Sequence, residues 1–282
     1  METLTRIEAV GAWSAAHQRE GRRVVLVPTM GALHAGHQAL MRAAADHGDA
    51  VLASIFVNPT QFGAGEDFEQ YPRDAEGDLA KAAEAGVHAV FMPTRDMMYP
   101  SGHQTTIHTA GVSEGLCGAH RPGHFDGVCT VVLKLFNITR CDAAIFGEKD
   151  FQQLAVIRRM VADLDVPVEV VGHPIVREPD GLAMSSRNIY LSASERQSAR
   201  SLSRSLAAAR GLFAAGNREP KALEAAAHEI IAAAPGTDIE YVSVRRADTL
   251  QTFEGAITQP CVLALAVKIG QTRLIDNMVL TP

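Results

Sequence analysis

Residues 24–38 read VVLVPTMGALHAGHQ. An apolar run reaches Pro28, two glycines follow, and His34 and His37 flank Gly36 at the start of a helical pattern. The spacing Gly31-x-x-x-x-Gly36 is that of a phosphate-binding loop, but His37 and Gln38 stand where such a loop carries Lys and Ser or Thr. The cation and the magnesium-holding hydroxyl are therefore missing. Backbone N–H groups and the dipole at a helix start favour an anion, and two imidazoles there offer hydrogen bonds to phosphate oxygens. Gly36 lets a flat ring approach the backbone. Two other readings stay open. The histidines are surface cap residues, or they share a zinc ion at i, i+3, with no nearby Cys or Glu to complete a tetrahedral set.

Two further clusters carry chemistry. Gly147-Glu148-Lys149-Asp150 closes an apolar run and opens a helical one, and Lys149 there suits a phosphate. Met184-Ser185-Ser186-Arg187-Asn188 places two hydroxyls beside a guanidinium, a set that binds phosphate. Such a loop can also close over a ligand. Taken alone, each cluster reads as an ordinary polar loop.

Elements must hold these clusters. Strand-like runs at 24–27, 50–57, 88–92, 143–147 and 168–171 alternate with helical patterns at 36–47, 74–85 and 151–164, and with 127–138, a strand or a helix whose apolar spacing favours helix. This alternation predicts an α/β fold, a doubly wound parallel sheet with helices on both faces. Such sheets bind ligands beyond the carboxyl ends of their strands. After about residue 176 the pattern changes. Ser192-Ala193-Ser194-Glu195 is a capping-box sequence opening a long helix that closes near Gly216. A second helix at 221–234 and three β-like runs predict a smaller α+β domain. The expected division is 1–176, catalytic, and 177–282, a lid-like C-terminal domain.

Composition sets outer limits. The chain has 282 residues, 47% of them apolar, and a net charge of −6. It is long enough for one large or two ordinary domains. The charge argues against broad nucleic-acid binding, which needs a basic face. No apolar run approaches the ~20 residues of a membrane span, and the start shows no secretion signal, so a cytoplasmic location is expected. Four scattered cysteines, Cys117, Cys129, Cys141 and Cys261, read as reduced thiols.

Together, the His-x-Gly-His turn and the Met-Ser-Ser-Arg loop resemble the adenylate-forming nucleotidyltransferase superfamily. The finer resemblance is to the pantothenate synthetase (pantoate–β-alanine ligase) family. It is carried by VPTMGALHAGH, SIFVNPTQFGAGEDFEQYPR, RPGHFDGV, FGEKDFQQL and MSSRN, in that order across residues 25–190. The resemblance implies a Rossmann-like fold and a two-step ligation in which ATP adenylates pantoate and β-alanine then displaces AMP. It implies that Met30, Gly31, Ala32, Leu33, His34, Ala35, Gly36 and His37 contact ATP, with His37 the general acid. It gives Gly147, Glu148, Lys149 and Asp150 as a second ATP segment, and Val176, Met184, Ser185, Ser186 and Arg187 as a third. His34, His37, Lys149 and Arg187 are the expected catalytic groups. Gln61 and Gln153 would hold pantoate, since amides suit a hydroxy acid, with Asn58, Tyr71 and Arg121 beside them. Alternatively Asn58 is a turn residue, Tyr71 packing and Arg121 a surface cation. Magnesium is expected on ATP's phosphate oxygens and water; Asp78 is either its carboxylate or a solvated helix residue. A homodimer is implied.

Rival readings remain: another nucleotidyltransferase, a nucleotide-sensing module without turnover, and a zinc hydrolase using His34 and His37. The neutral amide pair disfavours the first, which needs a basic pocket for a second phosphate. A sensing module has no need of both His37 and Lys149.

Overall fold

The alternating pattern folds as alternating strands and helices in the computed structural model, which describes Met1–Pro282. In chain order come β1 (Glu2–Leu4), α1 (Ile7–Arg19), β2 (Val24–Thr29), α2 (Ala35–Ala44), β3 (Ala50–Ile55), α3 (Ala75–Glu84), β4 (Ala89–Phe91) and α4 (Arg95–Met98). Then follow α5 (Leu116–His120), α6 (His124–Thr139), β5 (Ala143–Gly147), α7 (Phe151–Asp163) and β6 (Glu169–His173). The remainder is α8 (Ala193–Ala214), α9 (Pro220–Ala232), β7 (Thr237–Arg246), β8 (Cys261–Ile269) and β9 (Thr272–Leu280). β1, α1, α4 and α5 go beyond the sequence reading, β1 being only three residues long.

Strands β1 to β6 form one parallel sheet in the order β1-β4-β3-β2-β5-β6. The chain leaves β2 through α2 to β3 on one side, and β5 lies on the other. The strand order therefore reverses between β2 and β5, the place where doubly wound sheets take their ligands. Alternation along β2 serves two faces. Val25 and Val27 pack in one cluster with Met41 and Ala44 of α2 and Ala82 of α3. Val24 and Leu26, equally buried, point the other way, where α1 and α6 meet β2 and each other. Helices cover both faces, as a buried parallel sheet requires.

The chain divides into two compact units. The first holds Met1–Ala110, Arg121–Glu148 and Val156–Pro174; the second holds Gly111–His120, Lys149–Ala155 and Ile175–Pro282. The sequence-based division at 176/177 falls beside the last of these crossings. It leaves segments 111–120 and 149–155 with the first domain, whereas both pack with the second unit. Leu116, Phe151, Ala155 and Tyr241 share an apolar cluster with Leu250, Val262 and Ala264. Gln152, at the start of α7, accepts from Cys117 N and donates toward the carbonyls of Val112, Glu114 and Gly115.

In the second unit β7, β8 and β9 form an antiparallel sheet in that order. Leu202 and Leu206 of α8 and Leu223 and Ile231 of α9 pack on its Leu263 and Leu265. The Ser192 capping box starts α8 as its sequence predicts. No helix is long and apolar enough to cross a membrane, and all four cysteines are buried free thiols.

Candidate active site

The turn after β2 is built by its own histidines. His34 is the N-cap of α2, and its Nδ1 accepts from Gly36 N at 3.1 Å. His37 reaches back so that its Nδ1 accepts from His34 N at 3.3 Å. This is a capping box made from two imidazoles, with ring centroids 4.1 Å apart. An Nδ1 that accepts an N–H carries no proton, so the proton of each ring sits on Nε2. Each ring then donates through Nε2.

Ahead of them, Gly31 (φ +81°) and Ala32 (φ +50°) take the left-handed conformation that folds the turn. Asp78, in the first turn of α3, holds it there. One carboxylate oxygen accepts from Ala32 N at 2.9 Å and the other from Leu33 N at 2.7 Å. Asp78 is 1% exposed. The expectation of a solvated helix residue is corrected: both oxygens brace the turn from a buried position. A Cβ on Gly31 would lie 2.8 Å from Asp78 Oδ2. Glycine is required there on two grounds, φ and contact.

Gln61 stands against this turn, its Nε2 donating to Met30 Sδ at 3.0 Å. Asn58 precedes it and is almost fully buried. Asn58 Nδ2 donates to Gln61 Oε1 and Gly127 O, each at 3.1 Å, and its Oδ1 accepts from Thr60 and from the Tyr99 hydroxyl. The Gln61 carbonyl accepts from His124 Nδ1 at 2.8 Å and from Arg121 at 3.2 Å. Arg121 also forks onto both carboxylate oxygens of Glu66. Burial pushes the Glu66 carboxyl up, and the Arg121 guanidinium more than offsets this, holding it below its ordinary value. Arg121 is thus no loose surface cation. Tyr71 is buried, its ring edge-on to Phe62. Sequence reasoning assigned no role to Glu66, His124 or Gly127, although all three lie inside the motifs quoted above.

Gly127 of α6 sets how close that helix comes to the Gln61 segment. An added Cβ would fall 2.3 Å from Thr60 O and 2.6 Å from Gln61 N, both backbone atoms that cannot swing aside. Gly127→Ala is expected to cost about 1–3 kcal/mol in overpacking and to displace Gln61. If Gln61 lines a substrate site, its signature is a raised KM for that substrate, read by steady-state kinetics beside a thermal melt. An unaltered KM would remove Gln61 from the site.

β5, hydrogen-bonded to β2 through Val25↔Ala143 and Leu26↔Ala144, brings Gly147 and Glu148 to the same sheet edge as the histidine turn. Lys149, Asp150, Gln153, Val176 and 184–187 belong to the second unit. The adjacent glutamines differ sharply. Gln152 is buried and spent on segment 112–117, whereas Gln153 is half-buried with its amide uncommitted. Val176 O accepts from Met184 N at 2.9 Å, and Arg177 bridges Ala183. Ser185 caps a short 3-10 helix, Ser186–Tyr190, by accepting from Arg187 N. Asn188 ties it back to Glu178 and Ala183 O. Asn277 of β9, which the sequence did not single out, donates to Lys149 O at 2.9 Å.

A family model described as pantoate-beta-alanine ligase matches residues 2–279. The chain belongs to the pantoate–β-alanine ligase family. Relatives agree along the whole length. The pantothenate synthetase of Heliobacterium modesticaldum is 55% identical over 279 residues, 99% of each chain. That of Geobacter sulfurreducens is 54% identical over 280 residues, again 99% of each. The crystal structure of pantothenate synthetase from Thermus thermophilus superposes with a TM-score of 0.94 at 44% identity, covering both chains fully. The pantoate–β-alanine ligase of Francisella tularensis, solved with β-γ ATP and β-alanine, has a TM-score of 0.80 at 30% identity, covering 99% of this chain and 97% of that one. The doubly wound sheet with its small α+β partner is the fold of this ligase family.

Proposed function

We propose that this enzyme forms pantothenate from pantoate and β-alanine through a pantoyl adenylate, and that the groups described above carry the first step. Pantoate's carboxylate attacks the α-phosphorus of ATP, the bond to the β-phosphate breaks, and pyrophosphate leaves. The amine of β-alanine then attacks the acyl carbon and AMP departs. A free carboxylate is a poor acyl donor, and adenylation supplies the leaving group.

The observation that carries this reading is the imidazole capping box at the strand-order reversal. It presents two imidazole N–H donors from a helix start, whose dipole favours an anion. His34 and His37 act as hydrogen-bond donors to phosphate oxygens whose charge grows in the transition state. We assign His37 this role in place of general acid. Its Nδ1 is engaged by His34 N, and pyrophosphate leaves as an anion without needing a proton. Lys149 and Arg187 neutralise the departing charge; Gly147 to Asp150, Val176 and Met184 to Ser186 complete the ATP contacts. Gln61 and Gln153 hold pantoate. Asn58, Tyr71 and Arg121 shape the Gln61 wall, Asn58 and Arg121 by direct hydrogen bonds to it.

Magnesium fits this site as an ion delivered on ATP. No group of three or more His, Cys, Asp or Glu side chains is placed to hold a metal, and Asp78 is spent on the turn. Phosphate oxygens and water, the ligands this ion prefers, would supply its coordination and let it offset phosphate charge. A cytoplasmic homodimer and a lid-like role for residues 177–282 belong to the same reading.

The test is magnesium-dependent ATP–pyrophosphate exchange without β-alanine. Exchange is expected only when pantoate is present. A folded, ATP-binding protein that exchanges nothing with pantoate would overturn the adenylation route.

A further inference from the structure

β9 carries two adjacent buried polar residues, Asp276 (2% exposed) and Asn277 (5% exposed), opposite the apolar Leu265 and Ala264 of β8. Buried polar groups are costly unless bonded, and both are bonded in a way that connects two distant segments. Arg177 forks onto Asp276, Nη1 to Oδ2 at 2.7 Å and Nη2 to Oδ1 at 2.9 Å. Asp276 Oδ1 also accepts from Asn277 N at 2.8 Å. The Asn277 side chain then donates to Lys149 O at 2.9 Å. The chain of contacts therefore runs from Arg177, which directly follows Val176 and pairs with Ala183, through the β9 dipeptide to the backbone of Lys149.

Lys149 sits in a single 3-10 turn, Glu148–Asp150, a poor structure for fixing a long side chain. Its carbonyl is held from outside by Asn277. The other end of the same contact chain holds the Arg177–Ala183 bridge, which leads into Ser185 and Arg187. We propose that Asp276 and Asn277 set the position of Lys149 relative to the 176–187 loop, which makes Asn277 a positioning residue for the adenylation step. This rests on the reading of Lys149 as a phosphate partner. It explains why a strand at the far end of the sequence, with no phosphate-binding residue of its own, keeps two buried polar side chains side by side.

The experiment is a double-mutant cycle in pantoate-dependent ATP–pyrophosphate exchange, comparing wild type, Asn277→Ala, Lys149→Ala and the double variant, each with a thermal melt. Asn277→Ala is expected to lower exchange by about tenfold to a hundredfold, the cost of a displaced group near the chemistry. The melting temperature should move by only about 2–4 °C. In the Lys149→Ala background the same substitution should change nothing further, a result that a merely structural role would not give. Asn277→Asp, equal in shape but without the N–H, should behave like Asn277→Ala and serves if the alanine variant does not fold. Normal exchange in either Asn277 variant beside an impaired Lys149→Ala, or full additivity of the two substitutions, would overturn the proposal. A Lys149→Ala enzyme at wild-type rate would instead overturn the role of Lys149, and the proposal with it.

Discussion

His37→Ala lowers pantoate-dependent ATP–pyrophosphate exchange by about a hundredfold to a thousandfold, the range for removing one preorganised donor aimed at developing charge. The expectation follows from geometry. His37 Nδ1 is committed to His34 N, so the ring presents its Nε2–H in a fixed direction. Alanine removes the donor and the back-bond of the capping box together, and so the turn loosens as well. A second variant separates these effects. Glutamine at the N3 position of a capping box reaches back to the N-cap N–H, so His37→Gln should melt close to wild type while exchange stays low. His34→Asn behaves in the same way, because asparagine is among the best N-cap residues. If His37→Gln recovered exchange fully, the imidazole would be serving the helix alone, and the donor role would be lost.

The largest effect on stability is expected at Asp78. Its carboxylate satisfies two N–H groups in the turn, one of them on the buried Leu33. Leaving a buried donor unsatisfied costs about 1–3 kcal/mol, more where the lost partner was charged. Asp78→Ala should therefore destabilise the protein by about 3–5 kcal/mol in urea unfolding, a large share of the ~5–15 kcal/mol that holds a typical domain. Asp78→Asn keeps one carbonyl oxygen and should lose about half as much. Exchange activity should fall in both, because Ala32 and Leu33 carry His34 into place. A loss below about 1 kcal/mol in Asp78→Ala would mean that water or a rearranged turn replaces the carboxylate. Added magnesium should not restore either variant, which separates a brace from an ion ligand.

What the sequence revealed follows from how local each signal is. The parallel strands after β1, together with α6 and the Ser192 capping box, are written in spacings of two to four residues, so periodicity finds them. β1 is too short to show a period. The histidine turn is equally local, and its chemistry was readable as an anion site. The cap reading was open as well, but the reciprocal box that joins the two rings was not legible, because imidazole is an unusual cap. Asp78 was misread because its partners lie more than forty residues away, at Ala32 and Leu33. Nothing near Asp78 in the sequence distinguishes a brace from a solvated carboxylate. Gln152 and Gln153 are identical in type, and only the packing of α7 against segment 112–117 tells the spent amide from the uncommitted one. Segments 111–120 and 149–155 join the second unit through contacts with β7 and β8, which follow about a hundred residues later. No chain-order boundary could place them. Asn277 was invisible for the same reason.

The hydrogen bonding of β2 to β5 has a consequence for the newborn chain. The histidine turn leaves the ribosome early, but the strand forming the other side of the order reversal ends at Gly147. At roughly 5–20 residues per second, that wait is about 6–24 s. During it, Val24–Thr29 can pair with β3 but presents its other edge unpaired, and an open apolar strand edge is a template for association with other chains. The sheet has its helical cover on α2 and α3 well before that edge closes. Slow stretches of translation between β4 and β5 would lengthen the exposure, and a chaperone that recognises extended apolar segments would find its target in this interval.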